Sequence, residues 1–560
     1  MEQYSLEPIR KQIVGNDLLF DTPFGERHLL YADYTASGRG FQKIEEKIWN
    51  IEKSYANTHT EDDYSGKYLT QLLHQAETKI KELVNAGPHG KIIMTGSGTT
   101  GALKKLQEVI GVYIPPVTRE RITKSIREAD KTENKILERI DKDRPVVFIG
   151  PYEHHTNELM WREAYAEVVV IPFDREGQID LKELEKQLSD AKHKHRLKIG
   201  SFSAGSNITG IRTHVYDIAR VCHEHGALVF YDFAAVAPYV EIDMNRDAYS
   251  YFDAIFFSPH KFIGGPGTSG VLVFNEKIYR KDLPPTTAGG GTVRYVGFQG
   301  HDFAEDIETR EKAGTPPILQ AIKAALVLDL KEKIGIDTIE DIESKHTKYF
   351  IEHLQQIKNL EIIGDVAPYR RGAIMSFNIK HKDKILHPKF VTKLMNDLFG
   401  IQSRAGCSCA GPYGHILLGI NDETSDKLRS LILKGCEGIK PGWVRVNIHY
   451  TLSQDDIDYL IQAITFVARS GPLFLQKYSF DMSTAEWIYK GFEEKIPEFS
   501  IENDFVPKHM NLTDLPKLRA SYLTQAEQIA SELETQEQGS FVQDDKDIEE
   551  MKSFYYIYRA

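Results

Sequence analysis

Between about residues 90 and 275 the chain repeats one hydrophobic pattern. Short runs of β-branched and aromatic residues, KIIMTG, RPVVFIG, EVVVIPF, KIGSFS, ALVFYD, DAIFFS and GVLVF, alternate mostly with amphipathic stretches of helix length. Continuous apolar runs of this kind predict strands buried on both faces, mostly parallel, in an α/β sheet. Ligands in open α/β sheets bind beyond the carboxyl ends of the strands, and the residues that follow these runs are small and polar. One interruption, at 119–144 within a charged insertion spanning 113–145, carries Ile122, Ile126, Ile136 and Ile140 at helical spacing amid nearly balanced charge. It reads as a solvated helical insertion. A second, smaller α/β unit follows Gly335, with DVAPYRRGAIMSFNI as strands and HPKFVTKLMNDLFG and SQDDIDYLIQAITFVAR as helices. The expected organisation is an N-terminal segment at 1–30 packed with the small domain, a large domain at 31–325, the small domain at 326–471 and a helix-prone extension at 472–560. The acidic stretch within that extension predicts a solvated appendage, with partner binding as the alternative.

Composition narrows the class. The chain has 560 residues, 69 Lys+Arg against 81 Asp+Glu, and a formal net charge of −12, which argues against nucleic-acid or membrane-surface partners. With 41% apolar and 10% aromatic residues it is an ordinary globular protein. Four cysteines are too few for a disulfide scaffold and the first residues carry no apolar export segment, so a reducing cytoplasm is expected. No run approaches the ~18–20 apolar residues that cross a bilayer.

The sharpest segment for chemistry is DAIFFSPHKFIGGPG, Asp253 to Gly267, in which an apolar strand delivers Ser258, His260 and Lys261 together at its end. Lysine is rarely interior without a chemical task. One such task is a Schiff base with the aldehyde of pyridoxal 5′-phosphate; a surface lysine beside a glycine turn is the plainer reading of Lys-Phe-Ile-Gly alone. The run LVFYD places Asp232 at another strand end, where a carboxylate can hold a pyridine nitrogen protonated, although a lone strand-terminal Asp more often caps a helix. Upstream, the Gly/Ser/Thr loop from Thr95 to Gly101 opens a helix and offers a phosphate cradle without the lysine of a P-loop; any strand-to-helix turn also favours such residues. The segment PYEHHTN sets His154 and His155 after a strand, suited to a metal or to stacking on an aromatic cofactor. No ligand cluster accompanies them, and no metal is expected. In SRAGCSCAGPYG, 403–414, Cys407 and Cys409 lie in a glycine-rich loop beside Arg404, a setting that makes a thiol nucleophilic. Half a zinc site and a Cys-X-Cys redox pair are the alternatives, though Cys222 and Cys436 provide no second pair.

In family order, YADYTASG, YANTHT, GSGTTGAL, EHHTNELMW, SNITG, YDFAA, SPHK, AGGGT, EKAGTPP, RAGCSCAGP and WVRVNIHY resemble the class V aminotransferase branch of fold type I pyridoxal-phosphate enzymes. Within it the chain is most similar to the cysteine desulfurases and selenocysteine lyases, over roughly residues 25–470. The resemblance implies an α/β fold with a large domain built on a mostly parallel seven-stranded sheet and a smaller C-terminal α/β domain. It also implies a pyridoxal 5′-phosphate cofactor, an amino-acid substrate, a homodimer and a sulfur-acceptor protein. Carried over by position, it makes Lys261 the Schiff-base lysine, Asp232 the partner of the ring nitrogen and His154 the residue stacked on the ring. Asn207 would sit near the cofactor O3′ and the substrate carboxylate. Thr99, Thr100, Ser258 and His260 would hold the phosphate, and Thr292 would reach the phosphate of the other subunit. Arg445 and Arg404 would serve the substrate, Arg445 as the clamp on its α-carboxylate, and Cys409 would be the catalytic thiol.

Three departures accompany the likeness. Ala235 stands where desulfurases usually carry Gln, the insertion and the extension are not standard, and Cys407 adds a second thiol. The expected reaction is removal of sulfur from L-cysteine to give alanine and a persulfide on Cys409. The rivals are selenocysteine cleavage, β-elimination or transamination, and a sulfur carrier or scaffold that keeps the fold without turnover.

Overall fold

A computed structural model describes residues 6–560 apart from 59, 130–134, 366, 368–370, 495–496, 504–505 and 538. The middle of the charged insertion, His59 of YANTHT and part of the DVAPYRR run therefore lie outside the described residues. The seven apolar runs form β1 (Gly90–Thr95), β2 (Val146–Ile149), β3 (Glu167–Val170), β4 (Lys198–Ser203), β5 (Leu228–Asp232), β6 (Ala254–Phe257) and β7 (Gly270–Asn275). They make one sheet in the order β1-β7-β6-β5-β4-β2-β3. All pairings are parallel except those of β7, which runs antiparallel to β1 and β6. The connection from β6 to β7 holds only a single 3₁₀ turn, Pro259–Lys261. A parallel return needs a longer crossover, so the chain comes back antiparallel. Helices α1 (Gly98–Val109) and α4 (His155–Glu163) help cover the sheet, Leu103, Leu106 and Trp161 packing with Phe230, Phe256 and Leu272.

Between α1 and α4 the insertion forms α2 (Pro116–Ala129) and α3 (Lys135–Lys142), neither of which buries a residue. Ile122 and Ile136 remain about half exposed. The sheet and its helices belong to one compact unit, Ser37–Ser206 with Arg212–Asp337; Met1–Ala36, Asn207–Ile211 and Thr338–Ala560 make up the other.

The second unit is built on an antiparallel sheet of β8 (Leu360–Ile362), β9 (Ile374–His381), β10 (Arg404–Gly406) and β11 (Trp443–Asn447), ordered β8-β9-β11-β10. Helices α5 (Pro388–Phe399) and α6 (Gln454–Ser470) pack with it. The N-terminal segment joins this unit by parallel pairing of Leu30 and Tyr31 with Ile401 and Gln402. The extension corrects the expectation of a solvated appendage. Phe474, Tyr478, Phe480, Trp487, Tyr522, Phe554 and Tyr556 share a core with Phe390, Leu394 and Ile464. The extension is also only partly helical, since a hairpin, Tyr478–Asp481 with Glu486–Tyr489, precedes α7 (Leu515–Glu534). Acidic residues such as Glu493, Glu494 and Glu498 are exposed, while apolar residues at period two in the hairpin and at helical spacing in α7 turn inward.

Candidate active site

The residues singled out in the sequence fall into two groups, one in each unit. In the sheet unit they stand at strand ends. β6 is buried throughout and leads into Ser258 and the turn that carries His260 and Lys261, the latter half-buried. Gly38 donates to the His260 carbonyl at 2.8 Å. A Cβ at Gly38 would stand 1.8 Å from the Phe262 carbonyl oxygen, so only glycine lets this segment lie against the lysine turn. β1 leads into α1, where Gly98 has φ +58°. The Thr99 backbone N–H donates to Ser258 Oγ at 2.9 Å, and the two hydroxyls are 2.7 Å apart. Thr100 Oγ1 pairs with Thr156 Oγ1 at 2.9 Å, joining the first turns of α1 and α4. Burial, with the charge of Lys261, holds His260 down to about 4, so at neutral pH the ring is uncharged. Hydroxyls, a neutral imidazole and a helix N-terminus beside a lysine are the donor chemistry a phosphate requires. This part of the chain fits the pyridoxal-phosphate group.

Asp232 ends β5, 4% exposed, and accepts from the Ala234 N–H at 2.8 Å. Burial pushes its carboxyl up to about 6, against the pull of that hydrogen bond and of Lys261. A cationic ring nitrogen would return the carboxylate to its charged form. His154 precedes α4 and its Nδ1 accepts from the Thr156 N–H at 3.1 Å, which leaves the proton of a neutral ring on Nε2. Its neighbour Glu153 has no role in the sequence reading. Buried at 3% exposure, it accepts from Gly150 N (3.0 Å), Ser203 N (3.0 Å), Ser203 Oγ (2.6 Å) and Asn157 Nδ2 (2.7 Å). Ser203 is the register partner of Asp232 across β4 and β5. Burial pushes Glu153 up to about 7; its hydrogen bonds oppose this and the charge of Asp232 adds to it. The signal available in the sequence was a carboxylate at a buried strand end.

In the other unit Arg445, 3% exposed on β11, donates to Asp33 Oδ1 at 2.9 Å and to the Asn207 carbonyl at 3.1 Å. Arg404, its register partner on β10, places NH1 3.9 Å from Asp33 Oδ2. Two guanidiniums thus share one carboxylate, leaving one unit of positive charge for an anionic ligand. Asp33 lies about 370 and 410 residues from these partners in sequence, a separation that periodicity cannot bridge. Burial draws the Arg445 guanidinium below its usual value, Asp33 opposes this, and Cys409 is near enough to oppose it too. Both Cys407 and Cys409 are exposed.

Two further residues expected at the site bond to backbone carbonyls. The Asn207 side chain donates to the Ser408 carbonyl, in the cysteine loop, at 2.6 Å. Thr292 is fully buried and its hydroxyl donates to the Gly289 carbonyl at 2.7 Å. Both side chains satisfy a nearby backbone carbonyl first. Among the described residues no group of three His, Cys, Asp or Glu is arranged to hold a metal ion, and no helix is long and apolar enough to cross a membrane.

The sequence model of the family described as Aminotransferase class-V matches residues 132–460. The chain belongs to that family and is a pyridoxal-phosphate-dependent enzyme. Within the family it is cysteine desulfurase-like. A probable cysteine desulfurase of Halalkalibacterium halodurans is 28% identical over 389 residues, covering 69% of this chain and 84% of the relative. One of Staphylococcus aureus is 27% identical over 409 residues, covering 72% and 88%. The fold is that of the cysteine desulfurase of Thermococcus onnurineus, with a TM-score of 0.63 at 23% identity over 83% of this chain and 98% of that one.

Proposed function

We propose that the protein is a cysteine desulfurase, which takes the sulfur of L-cysteine onto Cys409 as a persulfide and leaves L-alanine. The observation that carries this reading is the exposed Cys409 near Arg445, in a cluster of two arginines and one carboxylate with a positive charge to spare. Arg445, with Arg404, takes the substrate α-carboxylate and orients the sulfur toward the thiol. Lys261 holds the cofactor covalently and afterwards carries protons at the substrate carbon. Asp232 keeps the ring nitrogen protonated, His154 lies against the ring, and Thr99, Thr100, Ser258 and His260 hold the phosphate. When bound, pyridoxal phosphate supplies the electron sink for the substrate Cα. Cys409 attacks the substrate sulfur as thiolate, the carbon–sulfur bond breaks and the sulfur stays on the protein. A homodimer, a protein that accepts the sulfur and a cytoplasmic setting complete the reading.

The test is product analysis of the pyridoxal-phosphate-loaded protein with L-cysteine. Alanine together with a persulfide on Cys409, lost in Cys409→Ser, is the expected result. Pyruvate with ammonia would move the protein to β-elimination, and a keto acid with an aminated acceptor to transamination. Alanine from selenocysteine alone, surviving Cys409→Ser, would make it a selenocysteine lyase.

A further inference from the structure

The reading above leaves Cys407 without a task. The Ala410 N–H donates to the Cys407 carbonyl at 3.2 Å, closing a tight turn over Cys407–Ala410. Both central residues are left-handed, Ser408 at φ +52° and Cys409 at φ +57°. Neither is glycine, and such residues hold this backbone only where their surroundings fix it. Here the surroundings are the Asn207 amide on the Ser408 carbonyl and the fully buried Ala410. The turn has a chemical consequence. Residues two apart in an extended strand have Cα atoms close to 7 Å apart, whereas a tight turn draws them to about 5.5 Å, inside the range a disulfide spans. Both thiols are exposed, and Gly406, just before them, has open space where a Cβ would stand.

We propose that Cys407 is a resolving thiol that clears the sulfur from Cys409. This rests on the reading that Cys409 receives the sulfur. The Cys407 thiolate attacks the Sγ of Cys409, the bond from that Sγ to the outer sulfur breaks, and the outer sulfur leaves as hydrosulfide with the proton Cys407 gave up. The products are a Cys407–Cys409 disulfide and hydrogen sulfide: the transferred sulfur is reduced and the two cysteines are oxidised by the same electron pair. Attack on the inner sulfur is favoured because hydrosulfide is the conjugate base of a stronger acid than a cysteine thiol and is the better leaving group. A small dithiol reopens the loop. The enzyme therefore releases sulfide under reducing conditions and shuts off its own nucleophile without them.

The experiment uses the full-length holoenzyme, freed of reductant, with L-cysteine. Alanine and sulfide are quantified, and the 403–414 peptide is weighed after alkylation. Expected are one equivalent each of alanine and sulfide per protomer, a peptide lighter by two hydrogens, and continued turnover on adding dithiothreitol. Cys407→Ser and Cys407→Ala are expected to retain the extra sulfur on Cys409 and to lose sulfide release, with the cofactor absorbance reporting that each variant is folded and loaded. A stable persulfide on wild-type Cys409, a persulfide found on Cys407, or sulfide release undiminished in the variants would overturn the resolving role while leaving the desulfurase reading intact. Absence of alanine from the wild type would overturn both.

Discussion

Two buried carboxylates, Asp232 and Glu153, sit at adjoining strand ends with their pKa values pushed up to about 6 and about 7. Burying charge is costly unless it is paired, and a cation placed beside them would restore their charged forms. In the protein without cofactor the sign of the effect is fixed. A carboxyl whose folded pKa is raised binds more protons folded than unfolded between the two values, so its contribution to stability is complete below about pH 4 and is lost as pH rises through about 6. Asp232→Asn removes that titration. The stability of wild type minus that of the variant is expected to fall by roughly 2 kcal/mol between pH 4 and pH 7, measured by urea denaturation of the apoprotein at several pH values. The depressed histidines, His260, His346 and His387, act in the opposite sense, but they are common to both proteins and cancel in the difference, whereas Glu153, relieved of the Asp232 charge in the variant, adds to the fall. A difference independent of pH would show that Asp232 is not the uncompensated carboxylate described here.

At the scale of elements, the strands were legible because β2, β6 and the body of β7 are buried throughout, and double-sided burial writes itself as an unbroken apolar run. The mostly parallel direction was legible in the same runs; the antiparallel exception follows from the short connection before β7. Lys261 and Asp232 could be found because each follows its own strand. Asp33 could not, since its two arginines come from distant strands, and the hairpin of the extension was hidden by the acidic residues around it. The loop before α1 was legible as glycine-rich, but which glycine is indispensable depends on φ. A Cβ at Gly98 would stand 2.8 Å from Ser258 Oγ, the atom that receives the Thr99 N–H. Gly98→Ala is expected to weaken cofactor binding about ten-fold, the equivalent of the ~1–2 kcal/mol that a left-handed alanine costs. Titration of the apoprotein with pyridoxal phosphate checks this. Gly111→Ala, just beyond the other end of α1, provides the comparison: it is equally left-handed at φ +75° but has open space where the Cβ would stand, so it should lose stability and keep the affinity. Equal affinities of wild type and Gly98→Ala would remove α1 from the phosphate site.

At the scale of the whole molecule, the extension is where composition and structure part company. Phe554, 1% exposed, lies 4.5 Å from His387, 5.0 Å from Phe480 and 6.4 Å from Trp487 between ring centroids. The Ser553 carbonyl accepts from the Ile385 N–H at 2.9 Å. Phe554 thus shares one core with α5 and the hairpin. Truncating such a side chain removes its transfer energy and leaves a cavity, so Phe554→Ala is expected to cost about 3–5 kcal/mol. Phe499, in the same extension but 96% exposed, has nothing to lose and its alanine variant should lie within about 0.5 kcal/mol of wild type. Urea midpoints of the two variants decide the matter. A pair of equal, small effects would mean that the extension is an appendage after all, whereas the expected contrast makes it part of the smaller unit's core, on which the strands carrying Arg404 and Arg445 are built.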